Sequence, residues 1–308
     1  MNRDYELAII GAGPAGCSAA IYAGRSGIKS VVFDKGMGGG LTSTAPKIEN
    51  YPGFPEISGI ELVQKLIEHA KHYADIHLNE EVKDIKKERE GFVVITNRDN
   101  YLVKAAILST GSTYKKLNIP GEKEFSGRGV SYCATCDGFF FKGKSVAVIG
   151  GGNTALLEAI YLKQVGCKEV YLIHRRDVLR GESVLQDEAR EKGINILLNK
   201  IVKRIEGKDV VERIVLEDLE NNEEISLGIQ GIFVAVGEKP ENTLAVRLGV
   251  SIDEHGYIIT DDRQRTNLKG IYAAGDITGG VRQVVTACAE GAIAALTSTE
   301  VLGKKYPY

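Results

Sequence analysis

The sequence predicts an α/β fold in which two similar units each run strand, tight turn, helix and strand. Two apolar runs lead into glycine-rich turns, GAGPAG at 11–16 and GGGNTA at 150–155. Further apolar strands close on glycine in AAILSTG, GIFVAVG and GIYAAGD. Glycine clusters at strand ends indicate backbone that approaches phosphate groups closely.

The first unit begins with a strand at 5–10 and continues through CSAAIYAGRSG to a second strand, VVFDK. Gly11, Gly13 and Gly16 form G-x-G-x-x-G, which allows a tight turn, close approach to pyrophosphate and close helix packing. Asp34 ends the second strand, where an acid can accept hydrogen bonds from both ribose hydroxyls. The alternative is a glycine-rich turn without a ligand.

The second unit carries the variant G-x-G-x-x-A at Gly150, Gly152 and Ala155. Basic residues replace the ribose acid: His174, Arg175, Arg176 and Arg180. Arginine binds a 2′-phosphate through charge-assisted hydrogen bonds, so this unit is expected to bind NADPH rather than NADH. A solvated basic loop, with Asp177 paired to an arginine, is the alternative.

One NADPH does not require two such units, so the first unit needs a different occupant, and FAD is expected there. The segment TNLKGIYAAGDITGG at 266–280 matches the second FAD fingerprint of disulfide-reductase-type flavoproteins. In it, Asp276 after Gly275 resembles the aspartate that holds the ribityl chain.

The order of these motifs predicts that one domain interrupts the other. The FAD domain is expected at 1–113 and 241–308, and the NADPH domain at 114–240, with junctions rich in Pro, Gly and charge. The alternating patterns GFVVITN and YLVKAAI predict small antiparallel strands. His69, His72 and His77 are expected on a solvated helix and turn.

Composition excludes several classes of partner. The 39 basic and 41 acidic residues give no electrostatic case for nucleic acid or an anionic membrane. The start MNRDYELAII lacks signal-peptide features, and the apolar stretches fall short of the roughly 20 residues that span a bilayer. We therefore expect a cytoplasmic protein without a transmembrane helix.

Five cysteines are too few for a secreted disulfide scaffold, and only Cys133 and Cys136 lie close in sequence. Their CxxC spacing allows a disulfide within one turn, at a helix start that favours one thiolate. A zinc site, two unlinked buried cysteines and a structural disulfide are the alternatives. The other three cysteines are expected to be buried small hydrophobes.

The segment SYCATCDGFF, together with GGGNTA and HRRDVLR, closely resembles the bacterial-type, low-molecular-weight thioredoxin reductases, from about residue 5 to residue 300. These are class-II pyridine nucleotide-disulfide oxidoreductases. The resemblance implies two Rossmann-like dinucleotide-binding domains of three-layer ββα type. IENYPGF and GGVRQVVTACAEGAIAA also look like FAD-contacting segments of the family.

The resemblance also implies the cofactor-contacting residues of both domains. For FAD they are Gly11, Gly13, Pro14, Ala15, Gly16, Asp34, Lys35, Gly40, Leu41, Asn50, Val82, Thr110, Gly111, Gly275, Asp276, Arg282, Gln283 and Val284. For NADPH they are Gly152, Asn153, Thr154, Glu158, His174, Arg175, Arg176, Arg180 and Gly237. No metal is expected.

In such an enzyme electrons pass from NADPH to FAD, then to the disulfide, and then to oxidised thioredoxin. Carried over by position, Cys136 faces the flavin, Cys133 attacks thioredoxin, and Asp137 is the acid–base residue. Arg128, Phe139 and Phe140 contribute to docking, although the two phenylalanines could equally be core residues. A homodimer is expected, with rotation of the inserted domain about hinges near 113–118 and 238–242.

Two departures from the family leave details open. Leu157 replaces a common glutamate before Glu158, and Gly40 replaces a glutamine that often precedes Leu41. A flavoprotein of the same build could serve another acceptor or donor. A redox sensor without turnover is the alternative from a different class.

Overall fold

The computed structural model describes residues 4–45 and 48–305 and combines strands and helices in a mixed α/β fold. The strands are β1 (Leu7–Ile10), β2 (Ser30–Phe33), β3 (Asp75–His77), β4 (Val82–Glu88), β5 (Gly91–Thr96), β6 (Asn100–Val103), β7 (Ala105–Leu108), β8 (Ser112–Tyr114), β9 (Val130–Ser131), β10 (Ser145–Ile149), β11 (Glu169–Ile173), β12 (Asn195–Leu197), β13 (Lys200–Gly207), β14 (Val211–Asp218), β15 (Glu224–Gly228), β16 (Gly231–Val234), β17 (Glu238–Pro240) and β18 (Ile271–Ala273). The α-helices are α1 (Pro14–Arg25), α2 (Gly59–Lys71), α3 (Ala134–Asp137), α4 (Asn153–Gln164), α5 (Ser183–Glu191), α6 (Thr243–Leu248) and α7 (Val284–Leu302). Short 3₁₀ helices cover Gly40–Thr44, Gly138–Phe141 and Asp276–Thr278.

The chain divides into two units. The first combines the chain up to Thr113 with the chain from Lys239 onward, and the second spans Tyr114–Glu238. The division falls within β8 and β17, which pair with each other in a two-stranded sheet. The sequence had suggested 240 as the end of the inserted unit. Which nucleotide each unit holds stays a prediction.

The first unit has three layers. Its central parallel sheet has the strand order β18-β7-β1-β2-β3, and an antiparallel sheet β4-β5-β6 covers one face. Apolar side chains of α1, α2 and α7 pack on the other face. Because alternate residues of the central strands point to opposite faces, Leu7 and Ile9 join the helix-side core, whereas Ala8 and Ile10 join the core under β4–β6.

The second unit repeats this plan. Its parallel sheet has the order β12-β11-β10-β16-β9, and the antiparallel sheet β13-β14-β15 lies on one side. Val146 and Val148 of β10 face the core formed with α4, while Ala147 and Ile149 face the antiparallel layer. The three-layer ββα architecture expected from the sequence is therefore confirmed in both units.

Helix α7 was not anticipated as a long apolar element. By length and composition alone it could cross a membrane, a test that the core helix of a globular protein also passes. Here α7 packs against α1: a Cβ at Gly291 would lie 2.0 Å from the Ala15 carbonyl oxygen, and Ala294 and Ala295 are fully buried. Much of its apolar character comes from alanine and not from large hydrophobic residues.

Two local expectations need correction. The segment YLVKAAI is not one antiparallel strand, since it belongs to β6 and to the parallel strand β7, with Lys104 at the corner between them. His77 does not lie on a solvated turn. It ends β3 and its Nδ1 lies 3.0 Å from the buried carboxylate of Glu80, a contact that sequence spacing alone does not reveal.

Candidate functional site

The glycine turn after β1 has two different kinds of glycine. Gly11 has φ +112°, and a Cβ there would lie 2.3 Å from the Ser109 carbonyl oxygen. A Cβ at Gly16 would lie 1.8 Å from the Gly11 oxygen. Gly13, the N-cap of α1, has no atom within 4 Å of its Cβ position. The fold itself requires glycine at positions 11 and 16. Gly13 instead leaves open space at a helix N-terminus, the kind of place where a pyrophosphate binds.

Asp34 directly follows β2 and borders this turn. Its two carboxylate oxygens accept hydrogen bonds from the backbone N–H groups of Ala12 and Gly36, at 2.9 and 2.8 Å. These bonds fix the carboxylate and leave further lone pairs to accept hydroxyl groups. Lys35, the next residue, lies 3.7 Å from Glu241 and is exposed.

The Gly275–Asp276 turn lies against the first turn. Gly275 has φ +83°, and a Cβ there would lie 2.9 Å from the Ala15 side chain. Glu290 of α7 accepts hydrogen bonds from the backbone N–H of Gly275 at 2.7 Å and from Thr278 Oγ1 at 3.1 Å. The two glycine motifs predicted for one nucleotide are thus brought together within the first unit.

The other residues of the first unit that were predicted to contact FAD lie in several elements. Asn50 donates to Gln283 Oε1 at 3.1 Å, which connects the IENYPGF segment to the start of α7. Arg282 donates to the Tyr257 hydroxyl at 2.8 Å. The others lie at the start of α1 (Pro14), in the 3₁₀ helix (Gly40, Leu41), in β4 (Val82), after β7 (Thr110, Gly111) and at the start of α7 (Val284).

The second glycine turn follows the same principle. A Cβ at Gly150 would lie 2.5 Å from the Ala235 carbonyl oxygen, and one at Gly151 would strike the His174 ring. Gly152, the N-cap of α4, has no atom within 4 Å of its Cβ position. Asn153, the next residue, is held by reciprocal hydrogen bonds with Glu182 at 2.7 and 2.8 Å.

The basic cluster surrounds this second turn. His174 is buried, and its pKa is lowered by burial and by the neighbouring Arg180, Arg176 and Arg175. The three arginines are exposed, and within 4–45 and 48–305 none pairs with Asp177 or another acid. The structure therefore does not show the suggested pairing of Asp177 with an arginine, whereas exposed arginines are compatible both with a solvated basic loop and with a 2′-phosphate site.

Other second-unit residues lie near the same edge. Thr154 and Glu158 lie on α4, with Leu157 between them 52% exposed. Gly237 follows β16 and has φ +107°.

Cys133 and Cys136 form a disulfide at the start of α3, with Cα atoms 5.3 Å apart. Cys133 is the N-cap, and its sulfur accepts the backbone N–H of Cys136 at 3.2 Å. This N–H and the helix terminus favour negative charge on the Cys133 sulfur once the bond is reduced. No group of three or more potential metal-ligating side chains occurs among the residues that the structure describes.

Asp137 ends α3, one residue after Cys136. Its Oδ2 accepts a 2.6 Å hydrogen bond from the buried Ser131 hydroxyl, and its Oδ1 is buried without a partner. Burial raises the pKa of Asp137, and the Ser131 bond acts in the opposite direction. A carboxyl with a raised pKa beside a disulfide is suited to proton transfer near neutral pH.

Comparison with known proteins fits this arrangement. The model of the family described as pyridine nucleotide-disulphide oxidoreductase matches residues 5–291. The chain belongs to this family. A thioredoxin reductase of Bacillus subtilis is 42% identical over 96% of this chain and 93% of its own length. The structure of thioredoxin reductase from Streptococcus pyogenes superposes with a TM-score of 0.93 at 38% identity, covering 98% of this chain and 99% of that one.

The resemblance to bacterial-type thioredoxin reductases is thereby confirmed, and the protein is an oxidoreductase. Family membership implies binding of a flavin and a nicotinamide dinucleotide. The residues present fit two dinucleotides, because Gly13 and Gly152 each leave space at a helix N-terminus where an alanine methyl would intrude.

The predicted docking residues of this oxidoreductase differ in exposure. Phe139 is 59% exposed, so it is not a core residue, whereas Phe140 is half-buried. Arg128 is exposed, with its guanidinium 5.8 Å from the Phe125 ring centre, and it donates to the Glu124 carbonyl.

Sequence reasoning missed two side chains at these sites, Ser131 and Glu290. Each acts on a predicted residue through a hydrogen bond, Ser131 on Asp137 and Glu290 on Gly275. Ser131 falls inside SYCATCDGFF, so its nearness to the disulfide was a usable signal. Glu290 had no such signal beyond its place in an FAD-like segment, because it lies 15 residues from Gly275.

Proposed function

We propose that this chain is an FAD-containing, NADPH-dependent thioredoxin-disulfide reductase. The observation that carries the proposal is the Cys133–Cys136 disulfide at a helix start, with half-buried Asp137 next to it in the unit that bears the arginine-flanked turn. A structural cross-link would not need a buried carboxyl with an unpartnered oxygen. A disulfide that opens and closes needs a group that exchanges protons.

FAD is proposed for the first unit. The open Gly13 position would receive its pyrophosphate, Asp34 would accept the ribose hydroxyls, and Asp276 would hold the ribityl chain. When bound, the flavin would supply two-electron transfer between the nicotinamide and the disulfide. Glu290, which accepts the Gly275 N–H, keeps the turn that presents Asp276 in place.

NADPH is proposed for the second unit. Its pyrophosphate would lie on the α4 N-terminus at Gly152, and its 2′-phosphate would meet Arg175, Arg176 and Arg180. Because these guanidinium groups make no ion pair in the described part of the chain, they can bind a phosphate without first breaking one. A hydroxyl in place of the phosphate, as in NADH, would forgo these bonds.

The proposed transfer to thioredoxin proceeds by two thiolate attacks. The Cys133 thiolate attacks one sulfur of the thioredoxin disulfide, forming a mixed disulfide and releasing one thioredoxin thiolate. The Cys136 thiolate then attacks the Cys133 sulfur, which restores the Cys133–Cys136 bond and releases the second thiolate. Asp137 would hold and deliver a proton during these exchanges. The Cys133–Cys136 pair must serve both the flavin, through Cys136, and a protein partner, through Cys133.

Rotation of the inserted unit about the β8 and β17 connections would satisfy both demands on the disulfide. We propose Arg128, Phe139 and Phe140 as part of the thioredoxin-docking surface. We further propose a cytoplasmic homodimer that binds neither nucleic acid nor membrane.

The proposal is tested by anaerobic titration of the yellow protein with NADPH and with NADH, followed by addition of oxidised thioredoxin. NADPH should bleach the flavin at far lower concentration than NADH, and thioredoxin should restore the colour. Cys136→Ser should be bleached but not reoxidised by thioredoxin. Cys167→Ala, which removes a buried free thiol of the same unit, is the matched control and should behave as the wild type.

Each failure identifies a different error. If NADPH does not bleach the flavin, the donor is wrong, and ferredoxin or a deazaflavin becomes the candidate. If bleaching occurs but thioredoxin does not restore the colour, another acceptor must be sought. If the dithiol forms but no acceptor sustains NADPH consumption, the chain is a redox sensor.

A further inference from the structure

Ser131 lies between the disulfide and the proposed proton-transfer residue. It is the last residue of β9, is 5% exposed, and is fixed by the pairing of β9 with β16 opposite Phe233. Its Oγ lies 2.6 Å from Asp137 Oδ2 and accepts the backbone N–H of Cys133 at 3.1 Å. The Cys133 carbonyl oxygen is 3.4 Å away, and the single hydroxyl proton favours the shorter, charge-assisted bond to the carboxylate.

The surroundings leave Ser131 as the side chain that contacts the Asp137 carboxylate. The 3₁₀ helix Gly138–Phe141 has no titratable side chain, and α4, which packs on α3, carries Glu158, Tyr161 and Lys163. Within the described ranges, the Asp137 carboxylate accepts one side-chain hydrogen bond, from Ser131 to Oδ2, and its Oδ1 has no partner.

Tyr132 and the second carboxylate oxygen complete this environment. Tyr132, between Ser131 and Cys133, donates its hydroxyl to the buried Glu122 at 3.0 Å. Asp137 Oδ1 is buried without a partner, so Ser131 makes the side-chain hydrogen bond that favours the charged form.

We propose that Ser131 is a positioning residue that orients the Asp137 carboxyl next to the Cys133–Cys136 pair. The inference rests on the proposed role of Asp137 in proton transfer. Ser131 links the two parts of the site, since the same oxygen that donates to Asp137 accepts from Cys133. Through Ser131, the Asp137 carboxyl is thereby connected to the backbone N–H of Cys133, the residue whose sulfur is proposed to attack the acceptor.

These contacts predict the direction in which loss of the Ser131 hydroxyl changes the pKa of Asp137. Burial raises the pKa of Asp137 and the Ser131 bond lowers it, so removal of the hydroxyl leaves burial unopposed. The protonated carboxyl then persists to higher pH. Whether Asp137 acts as acid or base, the part of the pH–rate profile that it governs moves upward, by on the order of one pH unit for a hydrogen bond to a charged group.

The experiment follows the prereduced enzyme in a single turnover with the small disulfide 5,5′-dithiobis(2-nitrobenzoate), without NADPH or thioredoxin, across the pH range. Asp137→Asn first identifies the limb that Asp137 governs. Ser131→Ala should shift that limb upward, and Ser131→Ala combined with Asp137→Asn should resemble Asp137→Asn alone. Ser298→Ala, a fully buried serine of α7 that donates to the Ala295 carbonyl, is the matched control and should leave the profile unchanged.

Threonine and valine at position 131 keep the test decisive if the alanine variant does not fold, because they have the same shape and differ in the hydroxyl. Ser131→Thr should retain the wild-type profile and Ser131→Val should shift it. An unmoved limb in the folded Ala or Val variant overturns the inference, as does an equal shift in the Asp137→Asn background. If the limb shifts as expected but thioredoxin is not reduced, the inference stands and the acceptor assignment fails.

Discussion

At the scale of single residues, the two glycine turns contain two kinds of glycine. Some are required by contacts within the fold, and the others have open space around them that a ligand could use. Gly11 and Gly16 are fixed by contacts to neighbouring backbone, so any side chain there would disrupt the turn itself. Gly13 and Gly152 have no such contacts. Their lack of a side chain is therefore consistent with the proposed approach of a pyrophosphate, and a substitution can test this separately from folding.

Gly13→Ala is expected to fold normally and to lose flavin. The backbone at Gly13 has φ −80° and ψ −175°, which alanine adopts readily, and its Cβ would meet no protein atom within 4 Å. The methyl group would instead occupy the space proposed for pyrophosphate. We expect FAD affinity to fall at least tenfold, about 1.4 kcal/mol, as measured by titration of the apoprotein with FAD.

Gly228→Ala is the control, because its Cβ position is also open but lies on β15, away from both turns. It should bind FAD as the wild type does. Unchanged FAD affinity in Gly13→Ala would remove the pyrophosphate assignment. Loss of folding, judged by circular dichroism, would show that the turn cannot accept a methyl for internal reasons.

At the scale of elements, the turn between β3 and β4 positions Asp34, the acid proposed to bind the ribose. Backbone N–H groups of Asn79 and Glu80 donate to the carbonyl oxygens of Gly36 and Asp34, both at 2.9 Å. The Glu80 side chain is 2% exposed and anchors this turn. It accepts hydrogen bonds from Thr96 at 2.7 Å and Tyr101 at 3.0 Å, and contacts His77.

Glu80→Gln is expected to destabilise the first unit by about 2 kcal/mol at pH 7, because the charge is lost and an NH₂ group replaces one acceptor oxygen. That oxygen is either Oε1, which accepts from the Thr96 and Tyr101 hydroxyls, or Oε2, which contacts His77. Burial alone would raise the pKa of Glu80, but the bonds from Thr96, His77 and Tyr101 outweigh it and lower the pKa below 4.5. A carboxylate with a lowered folded pKa stabilises above its unfolded pKa, and this stabilisation is lost as pH falls through the folded pKa. The difference between variant and wild type should therefore shrink below about pH 4.5.

This prediction is measured as the urea concentration that releases flavin, at several pH values from 7 down to about 3, so that the range passes below the ordinary carboxyl pKa. Glu81→Gln is the neighbouring control, since Glu81 pairs with Lys83 at the surface, where an ion pair contributes little. A Glu80→Gln deficit that is constant with pH would mean that the charge of Glu80 is not what stabilises the turn.

The elements also show what a sequence can and cannot predict. The glycine turns, the strands before them and the CxxC pair were predictable because each is a local pattern with a local physical cause. Glu80 and Glu290 were not, since each acts on backbone or side chains that only the fold brings near, whereas Ser131 was signalled only by its nearness to the CxxC pair. The corner at Lys104 was missed because β6 and β7 are both apolar. They differ in the strands with which they pair, since β6 is antiparallel to β5 and β7 is parallel to β1.

At the scale of the whole molecule, the chain contains two units that each have their own core. Phe33 in the first unit and Phe233 in the second are both almost fully buried, and the apolar clusters around them share no residue. The chain passes between the units twice, at the paired strands β8 and β17. Rotation about these two connections, as proposed for the catalytic cycle, requires that each unit be stable in itself.

Phe233→Ala is expected to lower the stability of the second unit selectively. Removal of a fully buried phenylalanine, packed edge-on against Phe141 with ring centres 5.3 Å apart, should cost about 3–5 kcal/mol. If the units unfold separately, calorimetry should show one transition moved to lower temperature, while the temperature of flavin release stays at the wild-type value. Phe33→Ala, the matched change in the first unit, should lower the flavin-release temperature and leave the other transition in place. A single transition that both substitutions shift equally would show that the units fold as one body, and would count against free rotation of the inserted unit.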